Sequence, residues 1–239
     1  MASVMERDRR LREGEVVFDL EKQPLRELNQ FLHGDVAGVK RVRVLNPDGA
    51  HSIAVGLNAN VHVDIEGHAG YYAAGMNQLA SVTVHGNAGP GVAEGMTSGE
   101  VRVKGYASVS AGAAAHGGLL VIDADASLRC GISMKGIDIV VGGSVGDFSA
   151  FMAQAGTLVV CGDAGDALGD SLYEAVIYVR GKIASLGADA KIEEMTQDDV
   201  ERLGSLLNKA GFAYDPKQFK RVSSARMLYH WNADANQEY

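Results

Sequence analysis

The chain has little of what marks a membrane, nucleic-acid-binding or disulfide-stabilised protein. No apolar run approaches the roughly 20 residues that cross a bilayer, and the N-terminus lacks the apolar core of a signal peptide. The net charge is −8 and the only basic cluster is the short run Arg7–Arg12, so neither nucleic acid nor a membrane is expected as a partner. Two cysteines, Cys130 and Cys161, predict a cytoplasmic protein with free thiols.

Glycine, by contrast, is abundant, with 30 residues in a chain of 239. From Val63 to about Met195 the sequence repeats in 19-residue units without insertion or deletion. One glycine marks each unit, except that Ala124 marks the fourth, and we number the seven units coils 1 to 7. The marker glycines are Gly67, Gly86, Gly105, Gly143, Gly162 and Gly181. A fixed period of this length indicates a repeat architecture.

A short strand is predicted before each marker. In every coil the residues four and two positions before the marker are aliphatic. These pairs are Val63 and Ile65, Val82 and Val84, Val101 and Val103, Leu120 and Ile122, Ile139 and Val141, Leu158 and Val160, and Ile177 and Val179. A spacing of two places both side chains on one face of a strand, and β-branched residues favour such a face.

Small residues predict tight bends after each strand. The positions three and seven past each marker hold only glycine, alanine or serine. The marker glycines are expected at corners, because a residue without Cβ can turn there, and for Gly143 we expect a positive φ. Strands and bends without helical periodicity predict an all-β fold, a parallel β-helix of seven coils that is roughly 30 to 35 Å long.

The segments on either side of the repeat are expected to close its ends. We divide the chain into an N-terminal segment and cap (1–62), the β-helix (63–195), and a C-terminal helix with a tail (196–239). Leucine spacing after Pro24 predicts a short helix that stops at Gly34. Thr196 and Asp199 predict the N-terminal cap of a second helix, which ends at Gly211.

The slot between the two inward aliphatics of each strand should point outward. It is polar in the first three coils, with Asp64, Thr83 and Arg102, and apolar in the last four. The apolar members are Val121, Val140, Val159 and Tyr178. One interpretation is a face that docks on another subunit, and the other is that the C-terminal helix folds back over it. The tail, which holds apolar groups up to Trp231, is expected to lie against the solenoid or a partner.

Paired carboxylates and histidine clusters are the first candidates for chemistry. Asp147 and Asp166 share a slot in neighbouring coils, so they are expected side by side, as the acid pair of a β-helix hydrolase or as two solvated turn residues. Four histidines fall in four different slots, so no metal site across stacked coils is expected. These are His62, His68, His85 and His116.

Coil 1 holds the most unusual side chains, Tyr71, Tyr72 and Asn77, whose slots are small or aliphatic in later coils. They are candidates for the wall of a tunnel or ligand site, or for filling the mouth of the solenoid. No set of residues has the pattern of a catalytic, cofactor-binding or metal-binding site, so we predict none in this chain.

Four stretches carry a resemblance to a known family. They are GYYAAGMNQ (70–78), VTVHGNAGPGVAEGM (82–96), RCGISMKGIDIVVGG (129–143) and FMAQAGTLVVCGDAGDALGDSLYEA (151–175). They resemble the GXGXG domain, the β-helix at the C-terminal end of the large subunit of glutamate synthase, over about residues 50–195. The resemblance implies a single-stranded right-handed parallel β-helix. The whole chain resembles the free-standing version found beside other subunits in N-methylglutamate synthase.

The resemblance implies that the chemistry belongs to partner subunits. One would be a glutamine-amidotransferase-like subunit, and the other a glutamate-synthase-like subunit with FMN and iron-sulfur clusters. Together they would form a transferase that converts glutamate and methylamine to N-methylglutamate and ammonia. This chain would hold them in register and help to enclose the path of the nitrogen.

Two alternatives remain open. The same scaffold resembles the C subunit of formylmethanofuran dehydrogenase and of the related formyltransferase/hydrolase complex. A function of another class would be a stand-alone β-helix hydrolase that uses Asp147 and Asp166.

Overall fold

The computed structural model describes residues 14–34 and 36–226. The strands in these ranges are β1 Glu15–Asp19, β2 Arg41–Leu45, β3 His62–Ile65, β4 Ser81–Val84, β5 Glu100–Val103, β6 Leu119–Ile122, β7 Lys135–Val141, β8 Ala155–Val160, β9 Val176–Val179, β10 Ala190–Glu193 and β11 Lys220–Ser224. The helices are α1 Leu25–Leu32 and α2 Gln197–Ala210, and a 3₁₀ turn spans Pro216–Gln218. Within these ranges, no helix combines the length and apolar composition that crossing a membrane would require.

The first nine strands form one parallel ladder in chain order. From β3 to β9 each strand pairs with the next at a step of one repeat unit, so that Val63 faces Val82 and Leu158 faces Ile177. The exception is the start of β7, where the register shifts between Lys135 and Asp138. The aliphatic pairs of all seven coils are buried in a single core. The predicted parallel β-solenoid of seven 19-residue coils is therefore confirmed.

The ladder begins before coil 1, because β1 and β2 pair in the same parallel sense. Val16 faces Val42, and Val42 faces Val63. Between these strands in sequence, α1 lies where the leucine spacing predicts a helix, and it buries Leu28 and Leu32 in the common core. The N-terminal segment thus extends the ladder by two strands.

A second, narrower line of contacts follows the bend after each strand. The residues two past each marker are small or aliphatic, and consecutive coils pair there through single parallel bridges, from Ala69 to Ala88 and onward to Ile183. Alanine at most of these positions allows the bends to stack closely inside the core.

The marker glycines lie at the bends, but the expected positive φ is wrong for Gly143. Among the markers only Gly67, at 150°, has a positive φ. The left-handed backbone occurs instead in the loops, at the residues five, seven and nine past the marker, as at Phe148, Ala150 and Met152. The markers lack a side chain for a different reason: a Cβ on Gly143 would stand 2.1 Å from Asp125 Oδ1.

At the C-terminal end the direction of the chain reverses. β11 pairs antiparallel with β9, and β10 pairs antiparallel with β11. α2 begins with a capping box between Thr196 and Asp199 and ends at Gly211, whose φ is 78°. Both ends of α2 are therefore where the sequence predicts them, and its orientation presents a row of leucines to the solenoid.

Candidate functional site

The apolar stripe on the outer face of β6 to β9 is covered by the chain itself. Its members, Val121, Val140, Val159 and Tyr178, are each at most 1% exposed. They form a second core with residues of α2 and the segment that follows: Leu203, Leu206, Leu207, Ala210 and Phe219. The prediction that these four residues dock on another subunit is therefore wrong. The leucine side of α2 supplies the apolar cover that the stripe requires.

A buried polar network fixes α2 over this stripe. Asp199, in the first turn of α2, accepts hydrogen bonds from Thr196, from the Tyr178 hydroxyl and from Arg221 Nε of β11. Burial alone would raise the pKa of Asp199, but the hydrogen bonds from Thr196 and Tyr178 outweigh it and lower the pKa to about 2. Burial and the neighbouring Asp199 carboxylate together raise the pKa of Tyr178. The pair is therefore an ionised carboxylate held by a neutral phenol.

Polar side chains also connect the coils, in the slot one residue past the marker. We call this set the polar ladder: His68, Asn87, Asp125, Ser144 and Asp163. Each accepts a hydrogen bond of 2.7 to 2.9 Å from the backbone amide of the same slot in the next coil. The marker glycine of that next coil leaves room for the accepting side chain.

The polar ladder explains why one marker is alanine. In coil 3 its slot holds Tyr106, and within the described ranges no hydrogen bond runs from the amide of Asp125 to the Tyr106 side chain. The marker that follows Tyr106 is Ala124, so the one marker with a side chain follows the coil whose slot lacks the accepting group. The recurrence of polar residues after the markers was a signal that could have predicted this ladder.

Asp147 and Asp166 lie in neighbouring coils, as expected, but each is engaged in bonding between coils. Asp147 Oδ1 accepts a hydrogen bond of 2.8 Å from the Asp166 amide, and Asp166 Oδ1 accepts one of 2.8 Å from the Ser185 hydroxyl. The first contact repeats the geometry of the polar ladder, and the second joins two side chains of neighbouring coils. The arrangement therefore matches two turn residues rather than the acid pair of a hydrolase.

The three candidates for a tunnel wall are not brought to one surface. Tyr71 is exposed and stacks on His51, with ring centroids 4.1 Å apart. Tyr72 is half-buried, whereas Asn77 is fully buried inside the solenoid. Asn77 Nδ2 donates to the carbonyl oxygens of Ala80 and Ser98, and its Oδ1 has no partner in the described part of the chain. Asn77 is therefore an interior residue, which corrects its proposed place on a wall.

The outer face of coils 1 and 2 carries a charged cluster that the repeat pattern did not predict. Asp64 is buried and bonds to Arg41 Nε at 2.5 Å, to His85 Nε2 at 2.7 Å and to His62 Nε2 at 3.2 Å. Burial alone would raise the pKa of Asp64, but hydrogen bonds from Arg41, His85 and His62 lower it to about 2. The two histidines lie in different slots, yet both point outward. His62 is two residues before Asp64, and His85 is two residues after Thr83, which pairs with Asp64 from the next coil.

Neither this cluster nor the cysteines form a metal site in the residues that the structure describes. No group of three or more His, Cys, Asp or Glu residues in 14–34 and 36–226 is placed to hold a metal ion. Cys130 and Cys161 are separate buried thiols, and burial raises the pKa of each to about 12. Both thiols are therefore protonated and unreactive at neutral pH.

These features define a class: a parallel β-solenoid protein of seven 19-residue coils, stiffened by a polar ladder and covered on one side by a C-terminal helix. No family model matches the sequence. The chain is 55% identical over 226 residues to Protein GlxC of Rhizobium meliloti (strain 1021), an alignment that spans 93% of this chain and 99% of that protein. The chain therefore belongs to the GlxC family.

Proposed function

We propose that this chain is a structural subunit of a glutamate-synthase-like complex and has no catalytic residue of its own. The supporting observation is that polar side chains on the solenoid surface form hydrogen bonds between neighbouring coils. The polar ladder, Asp147 and Asp166 all bond from one coil to the next, which stiffens the stack instead of assembling a reaction centre. The resemblance of residues 50–195 to the GXGXG domain supports the choice of complex.

Within this class we propose N-methylglutamate synthase as the particular assembly. One partner would be the amidotransferase-like subunit, and the other would hold FMN and iron-sulfur clusters. The assembly would act in the cytoplasm as a transferase, forming N-methylglutamate from glutamate and methylamine with release of ammonia. A stiff solenoid suits this role because two sites that exchange a small amine need a fixed separation and an enclosed path, or the amine escapes to solvent.

The test is purification of the tagged chain from its own cells at low salt, followed by native mass spectrometry and an absorbance spectrum. A tag at the N-terminus and a second preparation tagged at the C-terminus guard against blocking an interface. We expect co-purification of two larger subunits and a spectrum with flavin and iron-sulfur bands. A colourless chain without partners in both preparations would refute the proposal.

The amine is tested on the same preparation. We expect N-methylglutamate to form from glutamate and methylamine, measured by mass spectrometry, with ammonia as the control for turnover. A complex with flavin and iron-sulfur bands that forms no N-methylglutamate would retain the glutamate-synthase-like class and refute the specific assignment.

A further inference from the structure

The two ends of the solenoid are closed in different ways. α1 covers the N-terminal end, where Leu28 and Leu32 enter the common core. Asn29 of this helix donates to the Ser52 carbonyl and accepts from the Ala54 amide. α2 does not do the same at the other end, because it lies on the outer face of β6 to β9. In the described part of the chain, the C-terminal end is therefore closed only by β11 and β10.

The C-terminal end leaves apolar groups uncovered. Ile183 and Leu186 of coil 7 are partly exposed, although Leu168, which pairs with Leu186 from coil 6, is 1% exposed. Ile192 of β10 is 54% exposed. Because Ile192 stands opposite Val222, a core residue, its side chain lies on the inner side of the sheet and continues the core past β11. The end of a solenoid with such a surface needs a cover.

β10 is also an edge strand with unused backbone groups. It is last in the sheet order, and no other described strand pairs with its outer edge. The Asp189 carbonyl accepts a hydrogen bond of 2.7 Å from the Ala225 amide, and the Ala190 amide turns away from β11 to the Gly187 carbonyl. Since antiparallel strands alternate in this way, the amide and carbonyl of Ile192 also point to the open edge. Such an edge is a template for another strand.

The residues of β10 complement a second copy of the same strand. In an antiparallel pair related by a twofold axis at Ile192, Lys191 of each copy stands opposite Glu193 of the other. Opposite charges across two strands stabilise their pairing. Within one copy the two side chains already form an ion pair of 2.6 Å on the outer side of the sheet, so the dimer would hold four charges of alternating sign. The two Ile192 side chains would meet on the inner side.

The opposite edge of the sheet lacks this complementarity. β1 is first in the sheet order, so it too has an outer edge. A twofold axis at Val17 would place Glu15 of each copy opposite Asp19 of the other. Like charges directly opposite each other destabilise a strand pair. The charge pattern therefore selects β10, and not β1, for pairing with a second copy.

We propose that two copies of this chain associate end to end, with β10 pairing antiparallel to β10 about a twofold axis at Ile192. The pairing joins the two sheets into one and covers the apolar C-terminal end of each solenoid. The inference goes beyond the proposed function, because it concerns contacts between copies of this chain and requires no partner subunit. Two copies joined in this way would place two sets of partner subunits in one assembly.

The first test is sedimentation velocity of the isolated full chain over a series of concentrations. We expect a dimer for the wild type. Ile192→Lys places two like charges opposite each other at the axis, so the dissociation constant of the dimer should rise by about tenfold or more. The matched control is Leu79→Lys, which adds the same charge at a side chain of similar exposure, 57%, and should leave the dissociation constant unchanged. Both variants should keep the melting temperature of the wild-type monomer. A monomeric wild type, or equal dissociation constants for the two variants, would overturn the inference.

The second test examines the register with Ile192→Cys and oxidised glutathione as the oxidant. Residues that exchange hydrogen bonds across antiparallel strands have Cα atoms about 5.5 Å apart, a separation that a disulfide spans. We expect a covalent dimer on a non-reducing gel. Cys130 and Cys161 are buried thiols with a raised pKa and should not compete. Leu79→Cys is the control and should remain monomeric on the gel. Absence of the dimer for Ile192→Cys, or equal yields from both variants, would contradict the proposed pairing.

The third test identifies what contacts β10 in the assembly purified from its own cells. A photoreactive amino acid replaces Ile192, and mass spectrometry identifies the cross-linked peptide. We expect β10 of a second copy. A cross-link to a partner subunit, or to another segment of the same copy, would overturn the inference. A monomeric chain that co-purifies with two larger subunits would overturn the inference and retain the proposed function, whereas a dimer without partners would do the reverse.

Discussion

The hydroxyl group of Tyr178, on the last strand of the parallel ladder, donates a buried hydrogen bond of 2.5 Å to Asp199 Oδ1. The bond joins the outer face of the solenoid to the first turn of α2. Asp199 also closes the capping box of that helix through Thr196. The Asp199 carboxylate therefore caps the N-terminus of α2 and also bonds this helix to β9.

Removal of the Tyr178 hydroxyl should loosen this attachment. We expect Tyr178→Phe to lower the free energy of unfolding by about 1.5 to 3 kcal/mol, the usual contribution of a hydrogen bond to a charged group. The measurement is urea denaturation followed by circular dichroism. Tyr106→Phe removes a hydroxyl from an exposed ring and should change stability by less than about 0.5 kcal/mol. Equal effects of the two changes would show that the bond contributes nothing.

The cover over Val140 predicts a large effect of charge at that position. Val140→Glu would bury a carboxylate between β7 and α2, so we expect a loss of at least about 3 kcal/mol of folding free energy. The control is Leu79→Glu, which introduces the same charge in place of another aliphatic side chain, one that is 57% exposed. It should cost less than about 1 kcal/mol. A wild-type melting temperature for Val140→Glu would mean that α2 does not cover this strand in solution.

The strand ladder could be predicted from sequence because its cause is local and repeated. Val63 and Val82 occupy the same slot in consecutive coils, and the same chemistry recurs in every coil, so each unit supports the assignment of the next. The cover over Val140 could not be predicted in this way. An apolar stripe fits a helix of the same chain and a second subunit equally well, and only the path of the chain after Met195 decides between them.

The glycines show a second limit of the sequence. An absent side chain suits both a positive φ and a close approach of neighbouring atoms, so the identity of Gly143 cannot distinguish the two causes. The partner of the close approach, Asp125, belongs to the preceding coil and becomes visible only when the coils are stacked. The cluster at Asp64 differs, since the alternation of strand residues already places His62 and Asp64 on one face.

The close approach at Gly143 can be measured with a double-mutant cycle. A Cβ at this position would meet Asp125 Oδ1, so we expect Gly143→Ala to cost about 1 to 3 kcal/mol. Asp125→Ala removes one hydrogen bond and should cost about 1 kcal/mol alone. In the double variant the clashing oxygen is also absent, so its cost should be smaller than the sum of the two single costs by at least about 0.5 kcal/mol.

The control for this cycle is Gly211→Ala, at the end of α2. Its φ is 78° and a Cβ there would meet nothing within 4 Å, so its cost comes from the backbone alone. That cost should add to the cost of Asp125→Ala without coupling. Strict additivity in the Gly143 cycle as well would contradict the steric explanation of the marker glycines.

The carboxylate of Asp64 should make stability depend on pH in the acid range. Its pKa lies at about 2 in the folded chain, below the ordinary value of 3.8, so the folded state favours the ionised form. The resulting stabilisation is present above about pH 4 and is lost as the pH falls towards 2, and by linkage it amounts to roughly 2 kcal/mol. Asp64→Asn should therefore be less stable than wild type at neutral pH, and the gap should narrow as the pH approaches 2. Glu21→Gln, which changes an exposed carboxylate, should show no comparable gap. A gap for Asp64→Asn that stays constant with pH would mean that its carboxylate is not held in the ionised form by Arg41 and the two histidines.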